Sequence, residues 1–335
     1  MTAFQPELPD RQSPDRIRSR PCPACYLCGA PGLPLYEGVR DRLFGAPGTW
    51  NFRRCPTLNC GLMWLDPIPV EEEIGKAYAE YYTHAETPTR HSRRGRKLRR
   101  VASALISLAN PVRGERDRLS LMHLDKVKPG KLLDVGCGNG VRLARLRSLG
   151  WDVYGQDVDP AAVAYARKTF GLEVQLDRLQ DIGFPEMSFD AITLNHVIEH
   201  AHDPLKLLGE CRHLLRAGGQ LVIVTPNSEC FAHKHFGLSW RGLEPPRHIH
   251  VFSPKTLSAA ATIAGLTVCR SWTTVANTTT FWRGSMMIRN GEKDISNWVR
   301  GPLTRVRALG YLYRSIFEHL RDTNSGEECV LVATH

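Results

Sequence analysis

The clearest pattern in this chain begins at residue 131, where apolar runs alternate with helical periodicity. KLLDVGCGNG is an apolar strand that enters a glycine-rich turn, and RLARLRSLG then predicts a helix that ends at Gly150. WDVYGQDVD predicts a second strand that ends in acids, and PAAVAYARKTFG predicts a second helix with proline in its first turn. Strand, helix and strand in this order predict a right-handed βαβ unit of a parallel sheet. Ligands of such sheets bind beyond the carboxyl ends of the strands.

The composition is that of a soluble globular protein, for which we expect a cytoplasmic location, with peripheral attachment to the membrane as the alternative. The chain has 335 residues, of which 42% are hydrophobic and 23% charged. Residues 1–20 lack the apolar core of a signal peptide, and their content of Pro, Arg and Asp predicts a disordered tail. Without an export signal, the ten cysteines are expected in a reducing compartment, where clustered cysteines bind metal more often than they form disulfides.

The positive charge is concentrated in two segments. Of the formal net charge of +10, residues 84–118 contribute +7 and residues 281–321 contribute +5, so the rest of the chain is close to neutral. Such segments suit an anionic partner, which includes a membrane surface, a phosphorylated substrate and nucleic acid. The alternative is a solvated basic helix face. For the amphipathic stretch 93–113, packing on its own domain is favoured over an interfacial helix.

Two cysteine pairs near the N-terminus predict a structural zinc ribbon. CYLCG contains Cys25 and Cys28, CPTLNCG contains Cys55 and Cys60, and in each pair the second cysteine precedes glycine. Glycine allows the tight turn by which two thiolates converge on one ion, and four thiolates close a tetrahedral site. Cys22 also forms a CxxC with Cys25, but the glycine after Cys28 favours Cys25 and Cys28. Free cysteines in a small domain are the alternative to a metal site.

The string HVIEH at residues 196–200 fits the H-x-x-E-H metalloprotease signature. That signature requires both histidines on a stable helix. Here His196 lies one residue past the predicted end of the strand FDAITLN, and Asp203-Pro204 follows within a few residues. The match is therefore predicted to be accidental as a protease motif.

The glycine turn distinguishes between two kinds of cofactor. A dinucleotide site has G-x-G-x-x-G, whereas Gly136, Gly138 and Gly140 form G-x-G-x-G here. Asp134 precedes the first glycine by two residues and would repel a pyrophosphate, but it suits a ligand with an ammonium and a sulfonium. D-x-G-x-G-x-G followed by Asp157 resembles the first two motifs of class I S-adenosylmethionine-dependent methyltransferases.

The resemblance continues in order over residues 119–335. It implies an α/β, Rossmann-like sheet of seven strands, with GEECVLVATH as a last strand inserted antiparallel. A narrower resemblance rests on the cysteine ribbon, the EH pair at residues 199–200 and the PPRH segment at residues 245–248. Together they resemble a bacterial methyltransferase group associated with sugar, surface-polysaccharide and natural-product synthesis. Related enzymes methylate carbons of nucleotide-linked sugars or phenolic oxygens. The implied domains are a tail (1–20), the ribbon (21–68), a helical linker with a basic segment (69–118) and the methyltransferase domain (119–335) with a helical insertion (276–325).

The resemblance also implies the contacts of the cofactor S-adenosylmethionine. Asp134 would contact its methionine part, Gly136 and Gly138 would lie beneath it, and Asp157 would hold the ribose. The remaining implied contacts are Val158 against the adenine, Leu179 at the adenine edge and Asn195 beside the methyl group.

Methyl transfer to oxygen or carbon requires loss of a proton, which favours a histidine base. The candidates are His200 and then His248, with Glu199 as an orienting group or as a partner in a divalent metal site, and Arg247 as a clamp for an anionic group. For each histidine a structural role is the alternative. The insertion 276–325 is expected to cap the acceptor site, and membrane contact is the alternative.

The expected partner is a small-molecule acceptor of sugar, lipid or polyketide type, either anionic or nucleotide-linked. The N/D-PPY-type signature of amide and amine methylation is absent, since LNHVIEH stands in its place. Nucleic acid is therefore disfavoured as a partner. The competing hypotheses are an RNA or protein methyltransferase, and a methyltransferase-like module that binds nucleic acid or a membrane. The intact Asp134, glycines and Asp157 argue against the second of these.

Overall fold

The computed structural model describes residues 16–79, 111–292 and 302–335. Residues 1–15 of the predicted tail lie outside the described residues, as do residues 80–110, which carry most of the basic segment. The middle of the helical insertion, residues 293–301, lies outside them as well.

A seven-stranded sheet forms the centre of the molecule. Its strands are β6 (Lys131–Val135), β7 (Asp152–Asp157), β8 (Val174–Leu176), β9 (Phe189–Asn195), β10 (Leu215–Pro226), β12 (Thr267–Thr274) and β13 (Glu328–Thr334). They lie in the order β12-β13-β10-β9-β6-β7-β8, and β13 alone among them runs antiparallel to both of its neighbours. The predicted Rossmann-like sheet with an antiparallel last strand is therefore confirmed. Parallel strands buried on both faces explain the nearly continuous apolar runs of the central strands.

Some of the helices begin or end at local sequence signals. They are α1 (Arg113–Ser120), α2 (Val141–Ser148), α3 (Pro160–Phe170), α4 (Leu179–Ile182), α5 (Pro204–Leu214), α6 (Phe231–Phe236), α7 (Pro254–Ile263), α8 (Thr278–Asn290) and α9 (Pro302–Arg321). Asp159 caps α3 by accepting from Ala161 N, and Asp203 caps α5 by accepting from Lys206 N. Gly171 ends α3 in the left-handed conformation, with φ of +57°. None of the described helices has the length and apolar composition that a membrane span requires.

The N-terminal part of the chain forms two smaller sheets. Their strands are β1 (Ser19–Arg20), β2 (Leu33–Val39), β3 (Trp50–Arg54), β4 (Met63–Leu65), β5 (Ile68–Pro69) and β11 (His250–Val251). β1 pairs with β5, and the other four lie in the order β11-β4-β3-β2. The cysteine-bearing region is thus joined to the rest of the fold by a shared sheet, because β11 comes from the segment after β10.

Two further contacts hold the N-terminal region against the central sheet. Trp64, Cys25 and Cys55 are buried in the same apolar core as residues of β9 and β10. Glu71–Tyr78, the described part of the predicted helical linker, is a 3-10 helix that begins without a side-chain cap at Val70. It reaches the carboxyl edge of the sheet, where the candidate site lies.

Candidate functional site

The glycine turn after β6 is shaped for close approach of a ligand. Gly136 and Gly138 have φ of +66° and +55°, a conformation that costs glycine little and other residues much. A Cβ on Gly136 would stand 2.5 Å from a methyl carbon of Val197, whereas a Cβ on Gly138 would meet nothing within 4 Å. Gly136 therefore allows the turn to pack against Val197 in the loop after β9, and Gly138 exposes its backbone to open space.

Asp134 lies fully buried behind this turn. Its Oδ1 accepts a hydrogen bond of 2.7 Å from Thr193 Oγ1, and its Oδ2 is buried without a hydrogen-bond partner among the described residues. The Arg142 guanidinium is 3.9 Å from Oδ2. Burial raises the pKa of Asp134, an effect that Arg142 opposes. An orphaned carboxylate oxygen beside a ligand space suits a cationic ligand group, which fits the ammonium of S-adenosylmethionine.

Asp157, at the end of β7, supports the same turn from the other side. Its Oδ2 accepts from Gly138 N at 2.7 Å, and its Oδ1 accepts from Asp159 N at 2.9 Å. Burial raises the pKa of Asp157, while these backbone hydrogen bonds lower it. The carboxylate therefore fixes the conformation of the turn.

The other implied cofactor residues differ in exposure. Val158 is 64% exposed next to Asp157, so its side chain is free to cover a flat ring. Leu179 is buried in the apolar core, so any contact with a ligand from this position would come from the backbone. Asn195 lies at the end of β9 and faces a cavity.

This cavity, of about 440 Å³, opens above the glycine turn. Its lining residues are Ser120, Gly136, Cys137, Gly138, Asn139, Val141, Arg142, Arg145 and Asn195. Ser120, Arg142 and Arg145 were not predicted from the sequence. Arg142 and Arg145 are three residues apart in RLARLRSLG and so share a helix face, which is the one signal that the sequence offered.

His196, the first histidine of HVIEH, is held between two carboxylates. Its Nδ1 lies 3.0 Å from Glu199 Oε1 and its Nε2 lies 2.7 Å from Glu328 Oε1. Burial by itself would lower the pKa of His196, but the two carboxylates raise it to about 10. The imidazolium is therefore charged at neutral pH and cannot serve as a base. Asn277 Nδ2 donates to both oxygens of Glu328 and extends the chain of polar contacts to α8.

Glu199 is fully buried, and each of its oxygens has a partner. Oε1 contacts His196, and Oε2 accepts from Thr225 Oγ1 at 2.8 Å. Although burial raises the pKa of Glu199, the bond with His196 brings it down to about 2. The carboxylate is thus ionised, and it orients His196 through a hydrogen bond. His200, the expected partner of Glu199, lies near it but makes no hydrogen bond with it.

His200 and His248 face each other with ring centroids 4.9 Å apart, and neither is among the residues that line the cavity above the glycine turn. His200 Nδ1 donates to the Arg247 carbonyl at 2.9 Å, and His248 Nδ1 donates to the Gly242 carbonyl at 2.8 Å. Because a carbonyl only accepts, each Nδ1 carries a proton, and in the neutral form of each ring Nε2 keeps its lone pair. Burial lowers the pKa of His248 to about 4, so it is neutral at physiological pH. The Tyr78 hydroxyl, which the sequence did not indicate, lies 3.3 Å from His200 Nδ1.

Glu199, His200 and His248 also form a donor set. One ligand atom from each of the three residues lies within 4.8 Å of the others. In the neutral form of both rings, two imidazole nitrogens beside a carboxylate can bind a divalent metal, and either nitrogen can instead accept a proton. HVIEH is not a zincin site, because His196 is committed to two carboxylates and His200 ends a three-residue 3-10 turn, Ile198–His200.

Arg247 is not available to clamp a substrate, contrary to the sequence-based expectation. Its side chain is 0% exposed, with Nη2 at 2.6 Å from Asp41 Oδ2 and Nε at 2.9 Å from Glu244 Oε1. Nη1 donates to the Ala77 carbonyl at 2.6 Å, and the guanidinium lies over the Phe44 ring. A buried cation requires such compensation. Arg247 therefore holds the N-terminal region against the loop that carries His248.

The four predicted cysteines converge in the N-terminal region. Cys25 Sγ lies 3.6 Å from Cys60 Sγ, Cys28 Sγ lies 3.4 Å from Cys55 Sγ, and all four sulfurs lie within 4.8 Å of one another. Zinc–sulfur bonds of about 2.3 Å in a tetrahedron put sulfurs roughly 3.7 Å apart, so the set fits zinc. Cys22 lies outside this group.

The chain is similar in sequence to known methyltransferases. The model of the methyltransferase domain family matches residues 104–271, which include the glycine turn, both acids and the histidine segments. A ubiquinone biosynthesis O-methyltransferase of Cereibacter sphaeroides is 34% identical over 130 residues, 37% of this chain and 53% of that protein. A probable S-adenosylmethionine-dependent methyltransferase of Mycolicibacterium smegmatis is 31% identical over 102 residues, 30% of this chain and 40% of that protein.

The chain spans about half the length of the curated relatives it matches. Among solved structures, an S-adenosylmethionine-dependent methyltransferase from Archaeoglobus fulgidus has a TM-score of 0.45 and 20% identity, and the match covers 66% of this chain and 92% of that chain. The [4+2]-cyclase SpnF has a TM-score of 0.46 and 19% identity, over 65% of this chain and 79% of that chain.

Proposed function

This chain belongs to the methyltransferase domain family, and we propose that it is a class I S-adenosylmethionine-dependent methyltransferase. The proposed reaction transfers a methyl group to an oxygen or carbon of a small-molecule acceptor. The ubiquinone O-methyltransferases among its relatives support an oxygen acceptor in particular.

The observation that carries this proposal is the arrangement of Asp134 and Gly138. Asp134 Oδ2 is a buried carboxylate oxygen without a hydrogen-bond partner among the described residues, and the Gly138 backbone faces open space. A cation in that space would satisfy the carboxylate, whereas a pyrophosphate would be repelled by it. S-adenosylmethionine has the required positive charge and supplies the activated methyl group when bound.

Asn195 of the cavity and the histidines in the loops after β9 and β10 would carry out the proposed reaction. Methyl transfer is an in-line displacement, so most of the acceleration comes from holding the acceptor against the methyl donor at the required angle. Asn195, which lines the cavity, would border that position. His200 Nε2, with its lone pair kept free by the bond of Nδ1 to Arg247, would take the proton from the acceptor hydroxyl or carbon. His248 Nε2 is the second candidate, and Glu199 keeps the charged His196 in place.

Residues 21–68 form the proposed structural ribbon, with zinc held by Cys25, Cys28, Cys55 and Cys60. Four thiolates leave no open coordination position, so the ion would stabilise the fold and would not contact the acceptor. Through β11 and Arg247, this ribbon would brace the loop of His248, while residues 119–335 carry the chemistry. The proposed acceptor is of sugar, lipid or polyketide type and is anionic or nucleotide-linked.

Calorimetry with S-adenosylmethionine on the full zinc-loaded chain tests the proposal. We expect binding by the wild type, and absence of binding by the folded protein would overturn the assignment. A methyl-release screen over nucleotide sugars, phenolic lipids and RNA then identifies the acceptor class. A response to RNA alone would favour the competing hypothesis.

The base is tested with the acceptor found in that screen. His200→Ala should lower kcat by about 10²–10⁴-fold with cofactor affinity unchanged. His213→Ala is the matched control, since His213 is exposed and pairs with Glu186 away from the site. Full activity in both His200→Ala and His248→Ala would remove the histidine base from the mechanism. Loss of activity on removal of a divalent metal, with zinc retained, would favour the metal arrangement of Glu199, His200 and His248.

A further inference from the structure

Three half-buried arginines from different elements come together beside the cofactor cavity. Arg116 lies on α1, Arg283 on α8 and Arg305 in the first turns of α9. Arg116 Nε donates to the Ala276 carbonyl and its Nη2 to Thr279 Oγ1, both at 3.2 Å. Thr279 and Arg283 are four residues apart and therefore share a face of α8. Arg116 contacts this face through its hydrogen bond to Thr279.

Among the described residues, these arginines have no carboxylate partner. Arg283 Nε is buried without a hydrogen-bond partner, and neither Arg283 nor Arg305 has an ion pair. Burial lowers the pKa of Arg283, and the positive charges of Arg305 and Arg116 lower it further. Arg283 therefore has a buried nitrogen without a partner and two further positive charges close enough to disfavour its own, which marks a place for an external anion.

The position of this cluster connects it to the proposed reaction. Ser120 lines the cofactor cavity, and Arg116 stands one turn before it on α1, a rise of about 6 Å. Asn277, which precedes α8, binds Glu328 and through it His196. Arg283 lies six residues further along the helix, about 9 Å from Asn277. An anion held here would therefore lie within about two helical turns of Ser120, which lines the cavity, and of Asn277.

We propose that Arg116, Arg283 and Arg305 bind a phosphoryl group carried by the methyl acceptor. This inference rests on the proposed methyltransferase function, and it assigns to three other arginines the role that Arg247 cannot perform. Guanidinium groups match phosphate oxygens in geometry, and three of them suit a dianion or a diphosphate better than a single carboxylate. The acceptor class is accordingly a phosphorylated or nucleoside-diphosphate-linked small molecule.

The test is calorimetry of the full zinc-loaded chain with pyrophosphate, in the presence of S-adenosylhomocysteine. The wild type should bind pyrophosphate, and Arg283→Met and Arg305→Met should each weaken this binding about tenfold or more, because each removes a charge-assisted contact. Arg283→Lys keeps the charge and should retain part of the affinity. Arg289→Met is the matched control, since Arg289 is exposed on the same helix, stacks on Phe236 and should leave binding unchanged.

Separate measurements distinguish failure of the phosphoryl site from failure of the proposed methyltransferase function. Cofactor affinity and the circular dichroism spectrum of each variant show that it is folded, independently of pyrophosphate. Cofactor binding without pyrophosphate binding in the wild type, or equal pyrophosphate affinity in Arg283→Met and Arg289→Met, would overturn the phosphoryl site and leave the methyltransferase standing. Uridine diphosphate should bind at least as well as pyrophosphate. Binding to phosphatidylglycerol vesicles with no response to either soluble probe would also overturn it, in favour of a membrane surface.

Discussion

Arg247→Met removes the cation from the most deeply buried ion-pair network of the described structure. Asp41 and Glu244 are 3% and 4% exposed, so neither carboxylate recovers hydration when the guanidinium is lost. Breaking a buried pair by removing one partner costs about 3–5 kcal/mol. Asp41 keeps hydrogen bonds from the backbone nitrogens of Leu43, Phe44 and Ala46, and Glu244 keeps Arg241. We therefore expect the lower end, a loss of about 3 kcal/mol in the free energy of unfolding.

Urea unfolding followed by tryptophan fluorescence measures this loss, provided that the slope with urea is unchanged. Lys234→Met is the control, because its pair with Asp322 has both side chains at least half exposed and should contribute no more than about 1 kcal/mol. Because His200 is bonded to the Arg247 carbonyl, kcat should also fall more than cofactor affinity does. Equal stability losses in Arg247→Met and Lys234→Met would refute the reasoning.

Three further predictions address the metal, a buried acid and the cofactor. Cys28→Ser and Cys60→Ser should each release the zinc that elemental analysis finds in the wild type, and Cys22→Ser should keep it; metal-free wild type would contradict the ribbon. Burial raises the pKa of Glu327 from 4.5 to about 8, which means that the fold tolerates the protonated carboxyl better than the charged one. The contribution of Glu327 to the free energy of unfolding is therefore present in full below pH 4.5 and is lost as the pH rises through 8. Glu327→Gln should therefore stabilise the fold by up to about 4 kcal/mol at pH 8 and by less than about 1 kcal/mol at pH 5; a urea midpoint shift of equal size at both pH values would argue against this assignment. Asp157→Ala should weaken S-adenosylmethionine binding at least about tenfold by calorimetry, and unchanged affinity would exclude Asp157 from the cofactor site.

Within residues 131–335, the positions of most strands and helices of the central sheet were readable from the sequence, whereas the strands of the N-terminal region were not predicted. FDAITLN predicted β9 to its last residue, and PAAVAYARKTFG predicted α3 from its proline to the glycine that ends it. These signals are local: a strand shows as an apolar run, and a helix shows its caps within a few residues of its ends. The linker helix was a partial exception, since its described part is a 3-10 helix without a side-chain cap.

The grouping of the proposed cofactor residues was also readable from the sequence, because these residues lie within one βαβ unit. Asp134, Gly136, Gly138 and Asp157 are brought together by the turn after β6 and the end of β7, which any right-handed crossover places side by side. The acceptor side was not readable in this way. Its residues come from the N-terminal region, the loops after β9 and β10, and the helical insertion.

By itself, the sequence determined the order of the elements, the glycine turn with its acids and the grouping of four cysteines. Only the tertiary structure decided what HVIEH and Arg247 do. His196 contacts Glu328, 132 residues away, and Arg247 contacts Asp41, 206 residues away. The charge state and availability of a buried side chain depend on its partners. When those partners come from distant parts of the chain, no local pattern of residues records them.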